Sequence, residues 1–258
     1  MDFIEENKNK IICGDCLDVM KLLPDKSIDC IICDLPYGTT ACHWDIVIPF
    51  EPLWIQYKRI IKDNGAICLF GMQPFTSDLI NSNREMFRYD LIWYKPLPSG
   101  FLNANKMPMR NHEEVLLFYK KIPTYNPIKT NGVRKTGKRL QNTNGDNYGK
   151  FTMKDKNRRY DNKGINLPQS IITISNGDRT KESEHPTQKP VKLYEYLIKT
   201  YSNEGDLLFD NASGSGTLAV ASHNLKRNFI CIEKDKDYYD KSVIRYEKHI
   251  LQYGINFK

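Results

Sequence analysis

The chain has 258 residues, enough for one catalytic α/β domain with a smaller inserted element, and 40% of them are hydrophobic. No uninterrupted apolar run approaches the roughly 20 residues of a membrane span, and the acidic opening Met1-Asp2-Phe3-Ile4-Glu5-Glu6 stands where a signal peptide carries a basic segment, so no membrane partner is expected and the expected location is the cytoplasm. The net charge of +7 is unevenly placed: between Lys121 and Lys181 fourteen Lys and Arg stand against four Asp, a local charge of +10 that leaves −3 for the rest.

In chain order, Ile11-Ile12-Cys13-Gly14-Asp15-Cys16-Leu17 opens a segment that continues as an amphipathic stretch to Leu23. Ile28 to Cys33 is a short apolar run of the kind that forms a buried strand, and such a strand ends at the carboxyl edge of its sheet, where ligands bind. Asp34-Leu35-Pro36-Tyr37 follow at once. An exocyclic amine on a nucleobase is flat and poorly nucleophilic, and two acceptors aimed at its N–H bonds would change that. The Asp34 carboxylate can supply one. The Leu35 main-chain carbonyl can supply the other, because Pro36 biases Leu35 to an extended conformation. Tyr37 can stack on the base, a contact worth about 1–3 kcal/mol. The same four residues, with Gly38, also suit an ordinary strand-to-loop turn.

The stretch from Gly38 to Asp45 lacks periodicity and reads as a loop over the ligand, with Trp44 either in that loop or a core anchor. Amphipathic helices are expected over Phe50 to Ile61 and Phe75 to Ile80, and strands over Ala66 to Phe70, Tyr89 to Trp93 and Val115 to Phe118. Lys95 to Asn103 is irregular and offers Phe101 as a wall for a base. The doublets Cys13-x-x-Cys16 and Cys30-x-x-Cys33 have zinc-site spacing. Residues three apart on a strand point to opposite faces, however, so Cys30 and Cys33 cannot share a metal, and no metal is expected. His112-Glu113 has Leu116 where a zinc-protease helix needs its second His. The basic window, rich in Asn, Gly and Tyr, reads as a loop-rich insert. Its pairs Arg134-Lys135, Lys138-Arg139 and Arg158-Arg159 are candidates for phosphate contacts, and Tyr125, Tyr148 and Tyr160 are candidates for stacking or for a small core. A solvated surface loop would have the same composition.

After the insert come His185-Pro186-Thr187-Gln188-Lys189-Pro190 and a helix over Val191 to Tyr201. Leu207-Leu208-Phe209 reads as a strand running into Asp210-Asn211-Ala212-Ser213-Gly214-Ser215-Gly216-Thr217, a glycine-rich turn that opens a helix. Phe229 to Ile232 is the next strand, ending in Glu233, which is suited to ribose hydroxyls. A helix over Tyr238 to Ile250 closes the chain. The turn also fits the G-x-G-x-x-[GA] pattern of nicotinamide dinucleotide sites. The acidic Asp210 suits an ammonium better than a pyrophosphate. Helices alternating with strands give a mostly parallel α/β sheet covered on both faces.

Together the Asp-Leu-Pro-Tyr segment, the glycine loop and the His-Pro-Thr-Gln-Lys-Pro segment resemble the β-group DNA amino-methyltransferases. The resemblance covers most of the chain. It implies a doubly wound methyltransferase sheet with circularly permuted motif order, in which residues 1–120 carry the catalytic part, 121–181 the target recognition insert and 182–258 the cofactor-binding part. The implied cofactor is S-adenosylmethionine and the implied substrate an amine in double-stranded DNA, with adenine-N6 favoured over cytosine-N4 because the clamp begins with Asp. A catalytically impaired DNA-binding relative is the third reading.

The same resemblance makes Asp34, Leu35, Pro36 and Tyr37 catalytic, and assigns Asp15, Thr187, Gln188, Lys189, Asp210, Asn211, Ser213, Gly214, Gly216, Thr217 and Glu233 to the cofactor. Leu35 replaces a proline common in the family, and Asn211-Ala212 stands where the family usually has Pro-Phe, which would remove an aromatic wall from the cofactor pocket. Oligomeric state and any paired nuclease stay open, a homodimer and a cognate restriction endonuclease being the candidates. The excess of Lys over Arg, with much Asn and Ile, suggests a bacterial or phage genome.

Overall fold

In the computed structural model the apolar runs of the sequence meet in one large sheet; residues 2–40, 42, 45–138, 159–176 and 188–253 are described. The chain divides into a first unit, Met1–Asn126 with Ser170–Lys258, and a second, Pro127–Gln169. The first unit runs α1 (Phe3–Asn7), β1 (Lys10–Cys13), α2 (Cys16–Leu22), β2 (Ile28–Cys33), α3 (Phe50–Ile60), β3 (Ile61–Gly71), α4 (Phe75–Ser82), β4 (Phe87–Ser99), a 3₁₀ turn (Phe101–Asn103) and β5 (Arg110–Phe118). The second unit holds β6 (Thr130–Asn131), β7 (Thr136–Lys138), β8 (Arg159–Asp161) and β9 (Ile165–Asn166). Back in the first unit follow β10 (Ile171–Thr173), α5 (Val191–Tyr201), β11 (Leu207–Asp210), α6 (Thr217–Asn224), β12 (Asn228–Glu233) and α7 (Lys236–Tyr253).

The sheet has the order β1-β12-β11-β2-β3-β5-β4-β10. Its neighbours are parallel except around β5, which is antiparallel to both β3 and β4. The expected mostly parallel sheet is therefore present.

Both faces are covered because the central strands bury side chains at nearly every position, not at alternate ones. Along β2, Ile31 and Cys33 enter one buried cluster with Met20, Leu53, Tyr57 and Phe75 from α2, α3 and α4. Cys30 and Ile32 enter the other, with Leu193, Tyr194, Leu197 and Leu218 from α5 and α6. Cys30 and Cys33 thus lie on opposite faces. Among the described residues no cluster of His, Cys, Asp and Glu could hold a metal ion, and no helix is long and apolar enough to cross a membrane.

Two short strands were not expected. In β1 only Ile11 of four residues is buried, and in β10 only Ile172 of three, and the apolar stretch in each is only two or three residues long. In the second unit Thr130–Asn131 pairs with Ile165–Asn166, and Thr136–Lys138 with Arg159–Asp161, both antiparallel. Asn162 staples that unit: its Oδ1 accepts from the Lys135 and Gly164 amides at 2.7 and 3.0 Å, and its Nδ2 donates to the Val133 carbonyl at 3.0 Å. The unit starts and ends inside the basic 121–181 window, whose C-terminal part supplies β10 to the large sheet.

Candidate active site

Parallel strands deliver their C-terminal residues to one edge. Here β1, β12, β11 and β2 are adjacent in that order, so Asp15, Glu233, Asp210 and Asp34 follow or end neighbouring strands. The antiparallel β5 brings the start of its own strand to the same edge: Trp93 of β4 pairs with Glu113, two residues before Lys95. A cavity of about 1120 Å³ opens there, lined by Asp34, Leu35, Pro36 and Tyr37 together with Asp15, Gln188, Lys189, Asn211, Ser213, Gly214, Thr217 and Glu233. Lys95 and Glu113 line it too. Asp210 and Gly216 do not line it, and Asp210 is 1% exposed.

The Asp34 carboxylate is held at both oxygens. Tyr37 donates its hydroxyl to Oδ1 at 2.8 Å, and the Lys189 ammonium lies 2.5 Å from Oδ2. Lys189 also stands 3.2 Å from Glu113 Oε2, and Lys95 lies 2.8 Å from Glu113 Oε1. Four charges thus alternate in sign, two buried lysines and two half-buried carboxylates. Burial pushes the Asp34 carboxyl above its ordinary value; the Lys189 ammonium opposes this and Glu113 adds to it. Burial would depress the Lys189 ammonium, but Asp34 and Glu113 together raise it. Burial would likewise raise Glu113, and its two lysines instead hold it below the usual carboxylate range. The Tyr37 ring stacks on Phe75 with centroids 4.9 Å apart.

The loop after the clamp is closed by one side chain. Asp45 accepts from the amides of Gly38, Thr39 and Thr40 at 2.8, 2.9 and 2.7 Å. Phe101, expected as a wall, is 80% exposed on the 3₁₀ turn and does not line the cavity; Leu97, Pro98 and Ser99 form the wall there.

On the other side of the cavity, Glu233 accepts from the Gly214 and Asp235 amides at 2.7 and 2.9 Å. Gly214 and Gly216 have φ of +50° and +72°, and a Cβ on Gly216 would come within 3.2 Å of Ile11 Cδ1 and Ser242 Cβ. Only glycine turns the chain there without strain. Arg245 of α7 clamps the same loop through the Ser215 carbonyl at 2.8 Å and Thr217 Oγ1 at 3.2 Å. Asp15 caps α2 by accepting from the Leu17 amide at 2.9 Å and pairs with Lys234 at 3.0 Å. Asn211 is buried, accepting from the Tyr57 hydroxyl and donating to Cys16 Sγ at 3.5 Å. Its polar groups are therefore taken up by the core. Ser213 Oγ and Gln188 Oε1 are buried without a hydrogen-bond partner among the described residues.

Lys189, a candidate cofactor contact, lines the cavity with its ammonium on Asp34 and Glu113. Glu113 and Lys95 belong to neither the Asp-Leu-Pro-Tyr segment nor the glycine loop. A signal existed: each is a charged residue beside a strand's apolar run, Glu113 just before Val115 to Phe118 and Lys95 just after Tyr89 to Trp93. Of the candidate DNA contacts, Arg134, Lys135, Lys138 and Arg159 are in the second unit, where the β7–β8 register sets Lys138 opposite Arg159. Trp44, Arg139, Tyr148, Arg158 and the segment His185, Pro186 and Thr187 lie outside the described residues.

A family model described as DNA methylase, for N6 and N4 methyltransferases, matches residues 28–244. The chain is 27% identical over 245 residues to the type II methyltransferase M.HpaI of Haemophilus parainfluenzae, covering 90% of this chain and 72% of that protein. It is 28% identical over 275 residues to the type II methyltransferase M2.MboI of Moraxella bovis, covering 95% and 90%. Among solved structures it resembles the M1.HpyAVI–SAM complex, with a TM-score of 0.62, 25% identity and coverage of 91% of this chain and 97% of that one. The PvuII DNA methyltransferase, described as cytosine-N4-specific, shares the fold with a TM-score of 0.63 at 18% identity, covering 95% and 91%.

Proposed function

We propose that this chain, which belongs to the N6/N4 DNA methylase family, methylates the N6 amine of an adenine flipped out of duplex DNA. Its methyl donor is S-adenosylmethionine, the cofactor of this family, which resolves the dinucleotide alternative left by the glycine pattern. The residues fit that group: Glu233 ends β12 beside the positive-φ glycine turn, and the cavity wall carries two buried oxygens, Ser213 Oγ and Gln188 Oε1, that lack a partner among the described residues. In this reading Glu233 and Asp15 take the nucleoside end, and Gln188, Ser213, Gly214 and Thr217 take the methionine end. Asp210, behind the wall, supplies negative charge toward the ammonium. Bound there, the cofactor supplies an electrophilic methyl on a sulfonium.

The observation that carries the proposal is that Asp34 to Tyr37 and Glu233 line one cavity. A base within a duplex cannot reach that cavity, so the target is flipped at a cost of a few kcal/mol. Asp34 and the Leu35 carbonyl accept the two N–H groups and turn the nitrogen lone pair toward the methyl. With the cofactor bound, its methyl would pass to that lone pair and the thioether would leave with the C–S bonding electrons, while Asp34 would take the proton shed by the nitrogen and release it to water. Orientation and a preorganised negative charge lower the barrier without a covalent enzyme adduct. Basic residues of the 121–181 segment, Arg134, Lys135, Lys138, Arg139, Arg158 and Arg159 among them, neutralise phosphates and give affinity that falls with salt.

Adenine is favoured by the Asp that opens the clamp. Asp34→Asn should retain cofactor affinity and lose methyl transfer to unmethylated DNA by on the order of 10²–10³-fold, the usual loss for one preorganised electrostatic group. Transfer at the wild-type rate would remove Asp34 from the mechanism.

A further inference from the structure

The Lys189 ammonium is within reach of two carboxylates and is aligned with only one. It hydrogen-bonds Asp34 Oδ2 at 2.5 Å. Glu113 Oε2 pairs with it as an ion at 3.2 Å, out of line for a well-formed hydrogen bond, and has no other partner among the described residues. Glu113 is meanwhile fixed at its other oxygen by Lys95, itself 5% exposed. A rotation of the lysine chain that gives up its hydrogen bond to Asp34 can therefore form one with Glu113 Oε2 in its place. The ammonium also lies near aromatic rings, with Nζ 5.3 Å from the Phe70 centroid and 5.8 Å from that of Tyr37, and those faces attract the cation.

The geometry points to Lys189 as a two-position latch: it covers Asp34 until a target amine arrives, then moves its hydrogen bond to Glu113, which serves as the receiving carboxylate. This rests on the reading of Asp34 as the amine acceptor and deepens it. With both Asp34 oxygens occupied, the amine competes directly with the Lys189 ammonium for Oδ2. A neutral amine displaces a buried cation only if another anion takes that cation over. Glu113 does so at a separation already within ion-pair range, and Lys95 keeps Glu113 in place. The set of four charges stays neutral throughout. Lys189 and Glu113 are accordingly positioning residues, acting on the base through Asp34. The groups that face Asp34 are Lys189 and Tyr194 from the α5 segment, Glu113 from β5, Asp210 from β11 and Tyr37 of its own loop.

The test is single-turnover methyl transfer to unmethylated duplex DNA, across pH, by the full chain with bound cofactor. Transfer by the wild type tests the underlying reading; ratios among the variants test the latch. Glu113→Gln should fold, bind cofactor as the wild type does, and transfer more slowly by on the order of 100-fold, because Lys189 then has nowhere to go. Adding Lys189→Met to that variant should recover transfer, with the acid limb of the pH profile moved upward because Asp34 has lost its cation. Should Glu113→Gln fail to bind cofactor, Glu113→Asp keeps the charge, draws the carboxylate back by one methylene and should show the same slowing and the same recovery. Wild-type rates in the Glu113 variants, or a double variant no faster than the single one at every pH, would overturn the latch; the second result would mark a purely structural role.

Discussion

Replacing Asp210 with Asn removes a charge that the fold holds at a cost, and the titration of the carboxyl sets the size of that cost. Burial pushes the group from 3.8 up to about 7, against hydrogen bonds from the Cys33 thiol and the Ala212 amide, and the charges of Asp34 and Glu233 push it the same way. The folded state therefore binds this proton more tightly than the unfolded chain does. Stability is greatest below about pH 4, where both states are protonated, and is lost as pH rises toward 7. At about 1.4 kcal/mol per unit over about three units, the loss reaches roughly 4 kcal/mol above pH 7. Asparagine is nearly isosteric and carries no such titration. In urea unfolding, the stability of Asp210→Asn relative to wild type should rise by about 2–3 kcal/mol between pH 5 and pH 8. A difference that stays flat with pH, or falls, would refute the reasoning. The same variant should bind S-adenosylmethionine more weakly, since an acid kept at this cost is kept for its charge.

Tyr57→Phe should cost about 1–3 kcal/mol in urea unfolding, because it strands the buried Asn211 carbonyl that the Tyr57 hydroxyl satisfies. Combined with Asn211→Leu, it should cost less than the two single changes added together. Gly216→Ala forces a side chain into φ +72° and within 3.2 Å of Ile11 and Ser242, so it should lose at least about 1–2 kcal/mol and weaken cofactor binding measured by thermal shift. Arg134→Ala with Lys135→Ala should lower the slope of log Kd against log salt for duplex DNA by about 0.9 for each phosphate that is no longer neutralised; an unchanged slope would remove both from the DNA interface.

Much of the sheet was legible because its central strands carry short, nearly continuous apolar runs. Ile28–Cys33, Leu207–Asp210 and Asn228–Glu233 occupy adjacent positions, and their acidic ends, Asp34, Asp210 and Glu233, could be placed at one edge from the residues alone. Lys10–Cys13 and Ile171–Thr173 escaped because an edge strand needs few buried side chains to pair its backbone. The charge network escaped for another reason. Lys95, Glu113 and Lys189 come from three separate segments, and only the antiparallel pairing of β4 with β5 brings the first two beside the third. At Asn211-Ala212 the sequence shows the loss of an aromatic wall at Ala212 but not where the asparagine goes, and in the fold the polar atoms of Asn211 are met by Tyr57 and Cys16.

The most direct measurement is transfer of labelled methyl from S-adenosylmethionine to unmethylated duplex DNA, followed by digestion to nucleosides and mass analysis. The account predicts N6-methyladenine in the digest. N4-methylcytosine alone would contradict the choice of base, and no transfer despite tight binding of DNA would contradict the enzyme.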